Sequence, residues 1–228
     1  MFTNQFMQEK MMGPSALVIL EELLQTVSLE KGMRVLDLAC GKGITSAYLA
    51  KKYGVSVYAV DLWISATENY QTFKDLGVDD LVTPLNFDAK TLPFANEYFD
   101  AVVSVGSYHY FGNNDVHFSK NVLPLVKKGG IVALSFPGRK LDEEQPVPNT
   151  VSPFWDSDSL EMIHSLEWWR PKFEPYLQDT QFYEMACFDE AWKQWLVCDN
   201  EYATGDRAMI QVDNGQFLNQ LALVGRCR

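Results

Sequence analysis

The segment Val35–Gly43 (VLDLACGKG) carries the residue types and spacing that most directly indicate ligand chemistry. An apolar run ends in Ala39, Gly41 and Gly43, and small residues let the backbone turn sharply and approach a ligand. A predicted helix follows, and its first free N–H groups can bind polar ligand atoms. Asp37, just before the loop, would repel a pyrophosphate, whereas its carboxylate suits an ammonium group, directly or through water. The segment therefore predicts a ligand-binding loop within a βαβ unit.

Two further carboxylates stand at the ends of predicted strands. Asp61 ends the second strand, where a carboxylate can accept both hydroxyls of a ribose, and Leu62 beside it offers apolar surface to a base. Asp88 follows the third strand, next to Ala89, and is placed to accept from an exocyclic amine of the base. Aspartate also caps helices and turns, so a purely structural role for Asp61 or Asp88 stays open. Together these residues predict a nucleoside site.

A turn rich in hydrogen-bonding groups follows the fourth predicted strand. Ser104 lies near the end of that strand and is a further candidate for cofactor binding. In the run Ser107–Tyr110, His109 is the only side chain whose ordinary pKa, about 6.5, suits proton removal near neutral pH. Tyr108 and Tyr110 are alternative hydrogen-bond donors, and a bond from His109 to a loop carbonyl stays open as a structural reading. The turn predicts His109, and after it Tyr108, as the catalytic group that faces an acceptor.

The elements that must position these residues alternate along the chain. Apolar runs such as VLDLA, VYAV and IVALSF are typical of strands buried on both faces of a parallel sheet, and alternation of strands with helices predicts helices on both sides of that sheet. The predicted strands are residues 33–39, 55–61, 81–87, 99–105, 131–136, 181–188 and 217–225, and the predicted helices are residues 15–27, 45–53, 64–76 and 115–127, with another around Trp192 and Trp195.

The rhythm changes after Pro137. Residues 137–153 are rich in proline, and residues 154–176 carry aromatic side chains at helical spacing, which fits either core packing or the wall of a pocket. The length and aromatic content of residues 137–176 predict a lid that supplies acceptor specificity.

Composition narrows the class of protein. The 228 residues include 30 acidic and 19 basic side chains, for a formal charge of −11, and no basic run disturbs this balance, which disfavours nucleic acid as a partner. No apolar stretch approaches the roughly 20 residues that span a bilayer, and the start of the chain lacks the pattern of a secretory signal. The four scattered cysteines form no CxxC pair, and no cluster of metal ligands stands out. These features predict a cytoplasmic protein with neither a membrane segment nor a metal site.

Four blocks resemble the class I S-adenosylmethionine-dependent methyltransferases, in the large group that acts mainly on small molecules. The blocks are VLDLACGKG, the acidic end of VYAVD, DAKTLPFANEYFDAVVS and LVKKGGIVALS, in this order over residues 33–136. Ala39 stands where the family usually has the first glycine of the loop, and KKGG stands where it often has KPGG. The resemblance implies a Rossmann-like, doubly wound α/β fold with a mostly parallel seven-stranded sheet and an antiparallel last strand.

The resemblance also implies a function. It implies S-adenosylmethionine as cofactor, S-adenosylhomocysteine as product and in-line methyl transfer to a small-molecule acceptor. A single domain over residues 1–228 would use residues 30–136 or so for the cofactor and about 137–215 for the acceptor and lid, and residues 11–14 would fold over the methionine end of the cofactor.

Three other readings stay open. They are an NAD-dependent oxidoreductase on a similar fold, a non-catalytic module that binds S-adenosylmethionine, and a methyltransferase that acts on macromolecules. Asp37 disfavours the oxidoreductase, as does Ser46, which occupies the position of the third glycine of the dinucleotide pattern.

Overall fold

A seven-stranded sheet organises the chain. In the computed structural model, which describes residues 2–112 and 114–228, the strands are β1 (Arg34–Leu38), β2 (Ser56–Asp61), β3 (Val82–Asn86), β4 (Phe99–Val105), β5 (Val126–Arg139), β6 (Leu177–Glu184) and β7 (Leu218–Cys227). Their order across the sheet is β3-β2-β1-β4-β5-β7-β6. The first five strands pair in parallel, and β7 is antiparallel to both β5 and β6. The predicted fold class, with its antiparallel last strand, is confirmed.

Helices cover both faces of the sheet. They are α1 (Asn4–Lys10), α2 (Ala16–Leu23), α3 (Ile44–Tyr53), α4 (Ala66–Asp75), α5 (Ser157–Leu160), α6 (Leu166–Phe173), α7 (Phe188–Leu196) and α8 (Glu201–Asp213). In β1, Val35 packs into the hydrophobic cluster on one face, and Leu36 packs into the cluster on the other. Successive side chains of a strand point to opposite faces, so an apolar run such as VLDL is buried on both sides.

Several predicted boundaries shift by a few residues. The first predicted helix stops at Leu23 rather than at residue 27, and the sixth strand begins at Leu177, earlier than the predicted residue 181. The helix α3 ends as predicted at Gly54, whose left-handed backbone (φ 65°) caps it.

The helix predicted over residues 115–127, with a kink or split expected at Pro124, is not a regular α-helix. The chain instead forms a π-helical turn at Phe118–Val122 and a 3-10 turn at Leu123–Leu125, which contains Pro124. Proline cannot donate a helical hydrogen bond and its ring clashes with the preceding turn. Strand β5 then starts at Val126, before the predicted residue 131, and accommodates the extra residues as a register shift against β4.

The segment between β5 and β7 adds structure at the carboxyl edge of the sheet. Helices α7 and α8 pack there around two satellite clusters, one centred on Trp195 and the other on Met209. Helix α6 does not pack at this edge. Its Trp169 and Phe173 are buried against the sheet, in the same hydrophobic cluster as Leu36. The late segment is therefore divided between the sheet core and the carboxyl edge.

None of the helices within residues 2–112 and 114–228 has both the length and the apolar character that a bilayer crossing requires. The same residues contain no group of three or more His, Cys, Asp and Glu side chains arranged to hold a metal ion.

Candidate active site

A cavity of about 530 Å³ opens at the carboxyl edge of the parallel strands. Its lining comes from the segments that follow β1, β2, β3 and β4, from residues 10–14, and from α7, α8 and the start of β7. Ligands of open α/β sheets bind outside the carboxyl ends of the strands, and ligand pockets occupy about 300–1,000 Å³. Position and size both make this cavity the candidate active site.

Most of the residues predicted from the sequence meet at this cavity. Those that line it are Ala39, Gly41, Asp61, Leu62, Asp88, Ala89 and His109. Four others, Asp37, Gly43, Ser104 and Tyr108, lie behind its surface. Residues 11–14 also line it.

The loop between β1 and α3 is bent by left-handed backbone conformations at Ala39 (φ 58°), Gly41 (φ 54°) and Gly43 (φ 81°). Helix α4 holds this shape, because the amide of Asn69 donates to the carbonyl of Gly41 over 2.9 Å. At Gly43, an added Cβ would lie 2.5 Å from a ring carbon of Phe73. Gly43 is thus required for packing of the loop against α4, whereas Gly41 is the glycine at the cavity wall.

Asp61 is held rigidly at the end of β2. One carboxylate oxygen accepts from the N–H of Gly41 over 2.8 Å, and the other accepts from the N–H groups of Trp63 and Ile64 over 2.8 and 2.9 Å. Each carboxylate oxygen has two acceptor positions, so the oxygen that accepts from Gly41 keeps one position for a ligand hydroxyl. Leu62 and Trp63 follow with exposed side chains at the rim.

Asp37 does not reach the cavity surface. It is 1% exposed, and one of its oxygens accepts from the hydroxyls of Thr45 and Ser46, each over 2.6 Å. The other oxygen has no partner among the described residues, and burial raises the pKa of this carboxyl to about 6. Thr45 does line the cavity. Because its hydroxyl donates to Asp37, its oxygen is left as an acceptor toward a ligand, a role that sequence reasoning missed.

The third and fourth strands contribute unequally. Asp88 lies at the cavity wall, and one of its oxygens accepts from the N–H of Lys90 over 2.9 Å, which holds the turn. Ala89 is buried beside it. Ser104 is fully buried inside β4, away from the cavity, and its hydroxyl has no partner among the described residues. The structure gives Ser104 no direct access to a cofactor.

The turn after β4 is a 3-10 helix over Tyr108–Phe111. His109 lines the cavity at 8% exposure, and its Nδ1 has no hydrogen-bond partner among the described residues. Burial lowers the pKa of His109 to about 3. The ring is therefore neutral near pH 7 and is a weaker proton acceptor than an ordinary histidine.

Tyr108 points away from the cavity. Its ring packs against Trp169 and Phe173 in the core, and its hydroxyl is 3.1 Å from Nδ1 of His117. Burial raises the pKa of Tyr108. Tyr110 takes the cavity position instead, edge-on to Trp63 with ring centroids 5.2 Å apart.

Another part of the cavity lining is built by late residues. Trp155, Phe188 and Trp192 supply aromatic surface, and Asp206 of α8 supplies a carboxylate. Asn219 of β7 also lines the cavity, and neither polar atom of its amide has a partner among the described residues. We call these five residues the acceptor wall. Sequence reasoning did not identify α8, because few of its residues are buried and Gly205 interrupts it.

The predicted lid over residues 137–176 is only partly placed at the cavity. Pro137 and Trp155 line it, whereas Trp169 and Phe173 are buried against the sheet. Helical spacing of aromatic residues fits both positions, and burial on the sheet removes more apolar surface from water. The cover over the cavity comes mainly from α7, α8 and the segment after α1.

Comparisons with known proteins agree with this geometry. A family profile described as a methyltransferase domain matches residues 35–130. The chain is 29% identical over 147 residues to 2-methyl-6-phytyl-1,4-hydroquinone methyltransferase of Synechocystis sp., covering 64% of this chain and 43% of that protein. It is 36% identical over 102 residues to cyclopropane-fatty-acyl-phospholipid synthase of Escherichia coli, covering 44% and 25%. The chain thus spans less than half the length of these curated relatives.

A solved structure extends the agreement to the fold. Phosphoethanolamine N-methyltransferase 2 of Haemonchus contortus, in complex with phosphomonomethylethanolamine and S-adenosylhomocysteine, matches with a TM-score of 0.73 at 16% identity, over 96% of this chain and 55% of that one. The matched profile begins in β1 and ends within β5, so it contains the loop, Asp61 and His109. Residues 35–130 are thus similar in sequence to a methyltransferase domain, and the fold of the whole chain is similar to that of a solved methyltransferase.

Proposed function

We propose that this chain binds S-adenosylmethionine in the cavity and transfers its methyl group to a small-molecule acceptor held against the acceptor wall. One observation carries the proposal. A single cavity joins the loop after β1 and Asp61 to the acceptor wall built by the late part of the chain. A nucleoside cofactor and a second molecule can therefore lie side by side in one space.

The residues at the strand ends fit the proposed cofactor. Asp61 presents a fixed carboxylate oxygen to a ribose hydroxyl, and Leu62 and Trp63 offer apolar surface to adenine. Thr45, oriented by the buried Asp37, offers an acceptor to the ammonium group of the methionine part. One oxygen of the Asp37 carboxylate has no hydrogen-bond partner among the described residues, and this carboxylate adds negative charge behind Thr45.

The chain's own residues mainly align the two molecules and exclude water. Held by Asp61 and Thr45, S-adenosylmethionine would supply a methyl group on a sulfonium for in-line transfer to a lone pair of the acceptor. Alignment of two reactants in one site contributes on the order of 7–11 kcal/mol to lowering the barrier. The exposed side chains of Trp63, Tyr110 and Met12 line the cavity and reduce the access of water to it.

His109 is proposed to position the acceptor. It follows the carboxyl end of β4 and lines the same cavity as the loop after β1 and the acceptor wall. A neutral ring with a free Nδ1 forms a hydrogen bond to an acceptor group, and its pKa of about 3 opposes a role as general base near neutral pH. We propose that residues 30–136 serve the cofactor, and that residues 137–215, together with β7, serve the acceptor.

Calorimetry and a methyl-transfer screen test the proposal. We expect S-adenosylhomocysteine to bind the purified chain and NAD not to bind, since the loop lacks the third glycine of the dinucleotide pattern. A screen with cofactor labelled on the methyl group, run over a metabolite library, then identifies the acceptor. Binding of NAD in preference to S-adenosylhomocysteine would favour the oxidoreductase, and cofactor binding without transfer to any acceptor would favour a binding module.

The cytoplasmic location stays a prediction. All four cysteines are free thiols, and Cys40, Cys198 and Cys227 are buried, as expected in a reducing compartment. Fractionation of the source cells tests it.

A further inference from the structure

The acceptor wall holds a carboxylate that lacks a cationic partner. Asp206 is partly buried and lines the cavity, and its single hydrogen bond comes from the indole N–H of Trp195, over 2.7 Å. It takes part in no ion pair with the described residues. The neighbouring Arg207 does not compensate for it, because its guanidinium donates to the carbonyls of Leu196 and Cys198. Burial raises the pKa of Asp206, as expected for a carboxylate without a cation.

Aromatic rings line the same cavity as Asp206. Phe188 and Trp192, one turn apart on α7, have ring centroids 6.0 Å apart. Trp155 joins them in one hydrophobic cluster with Met209, which lies one turn after Asp206 on α8. Aromatic faces attract cations within about 6 Å of the ring centroid. The rings and the carboxylate therefore favour the same kind of ligand group.

The basic residues that line the cavity lie elsewhere. Lys42 and Lys90 belong to the strand-end loops, and Lys10 donates to the hydroxyl of Thr72 on α4 over 2.9 Å. The acceptor wall thus carries a negative charge and π-electron faces without a cation of its own. Because a buried charge is costly without a partner, a ligand cation would compensate this carboxylate.

We propose that the methyl acceptor carries an ammonium group, which binds against Asp206 among the rings of Trp155, Phe188 and Trp192. This inference rests on the proposed function and adds the chemical class of the acceptor. The group that binds Asp206 is an amine that is protonated near neutral pH, and the remainder of the molecule occupies the largely apolar cavity.

Matched pairs of small molecules test the inference before the acceptor itself is identified. The chain is first saturated with S-adenosylhomocysteine, and binding is measured by calorimetry and by tryptophan fluorescence. The probes are 2-phenylethylamine against 2-phenylethanol, and butylamine against butanol, which differ mainly in charge at pH 7.5. We expect each amine to bind at least tenfold more tightly than its alcohol. Failure of both amines to bind more tightly than their alcohols overturns the proposal.

A pair of variants assigns the preference to the acceptor wall. Asp206→Asn should remove the preference for amines, with affinity for S-adenosylhomocysteine retained. Asp189→Asn, which removes the same charge from an exposed position on α7, should leave it intact. An equal loss in both variants would point to the overall charge of the protein and overturn the site assignment. Should Asp206→Asn not fold, the wild-type comparison still decides the proposal.

The two proposals fail in different ways. Absence of S-adenosylhomocysteine binding in the first step refutes the proposed function itself. Normal binding of S-adenosylhomocysteine with no preference for amines refutes only the ammonium acceptor.

Discussion

Replacement of Gly43 by alanine perturbs the loop after β1 at its least tolerant point. Gly43 has a left-handed backbone, with φ of 81°, and an added Cβ would lie 2.5 and 2.7 Å from two ring carbons of Phe73. Phe73 is fully buried on α4, so its ring has little room to move. The substitution therefore combines backbone strain with overpacking.

The two costs can be separated by a control. A left-handed conformation costs an L-residue about 1–2 kcal/mol, and overpacking of a core costs about 1–3 kcal/mol. Gly77 has a similar φ of 63°, but an added Cβ there would meet no atom within 4 Å. We expect Gly77→Ala to lose only the strain, about 1–2 kcal/mol, and Gly43→Ala to lose about 2–5 kcal/mol.

Urea unfolding of the two variants measures the difference, and calorimetry with S-adenosylhomocysteine reports on the loop. We expect weaker binding in Gly43→Ala and unchanged binding in Gly77→Ala, because only the first displaces the α3–α4 contact. Replacement of Phe73 by leucine removes the clashing ring atoms, so a double-mutant cycle should show that the two substitutions are less harmful together than their sum. Equal losses of stability in the two glycine variants, or no coupling to Phe73, would refute this reasoning.

Three further predictions concern the carboxylates and the histidine of the cavity. Asp61→Asn should weaken binding of S-adenosylhomocysteine by about 1.5–3 kcal/mol, the usual worth of a hydrogen bond to a charged group; unchanged calorimetric affinity in a folded variant would remove the ribose assignment. His109→Gln should lower kcat less than tenfold, because the neutral ring only positions the acceptor, whereas a loss of about 100-fold or more would restore the role of general base. In the cofactor-free protein, burial raises the pKa of Asp37 from 3.8 to about 6, so the folded state binds more protons and wild-type stability falls as pH rises through this range. Asp37→Asn should therefore gain about 3 kcal/mol relative to the wild type between pH 4 and pH 7, and a constant difference in urea unfolding would contradict the buried-carboxylate explanation.

The central sheet, and the edge of it at which ligands bind, could be predicted from the local sequence pattern. Continuous apolar runs identify strands buried on both faces, and Gly54 marks the end of α3. Parallel strands present their carboxyl ends at one edge, so Asp61 and Asp88, read as strand-end residues, had to approach the same cavity. Phe99–Val105 is a strand with the boundaries expected from its apolar pattern.

Helix α8 and the acceptor wall were much harder to predict from the sequence. Only Ala203, Met209 and Asp213 of α8 are buried, which leaves a weak helical pattern. Its position is set by packing around Trp195 and Met209, and those contacts join residues far apart along the chain. For the same reason, tryptophans that look alike in sequence have different surroundings, with Trp155 at the cavity and Trp169 in the core.

The amino-acid sequence by itself determined the class of fold, the glycine loop and the order of the strand-end carboxylates, because these depend on local conformational preference and on periodicity. Only the tertiary structure decided which side chains face the ligand. Tyr108 and His109 are adjacent in a single 3-10 turn, and packing of Tyr108 on Trp169 and Phe173 turns His109 toward the cavity. Likewise, burial behind α3 makes Asp37 a support for Thr45. Orientation about a turn depends on contacts that the neighbouring residues do not specify, so it follows from the packed core.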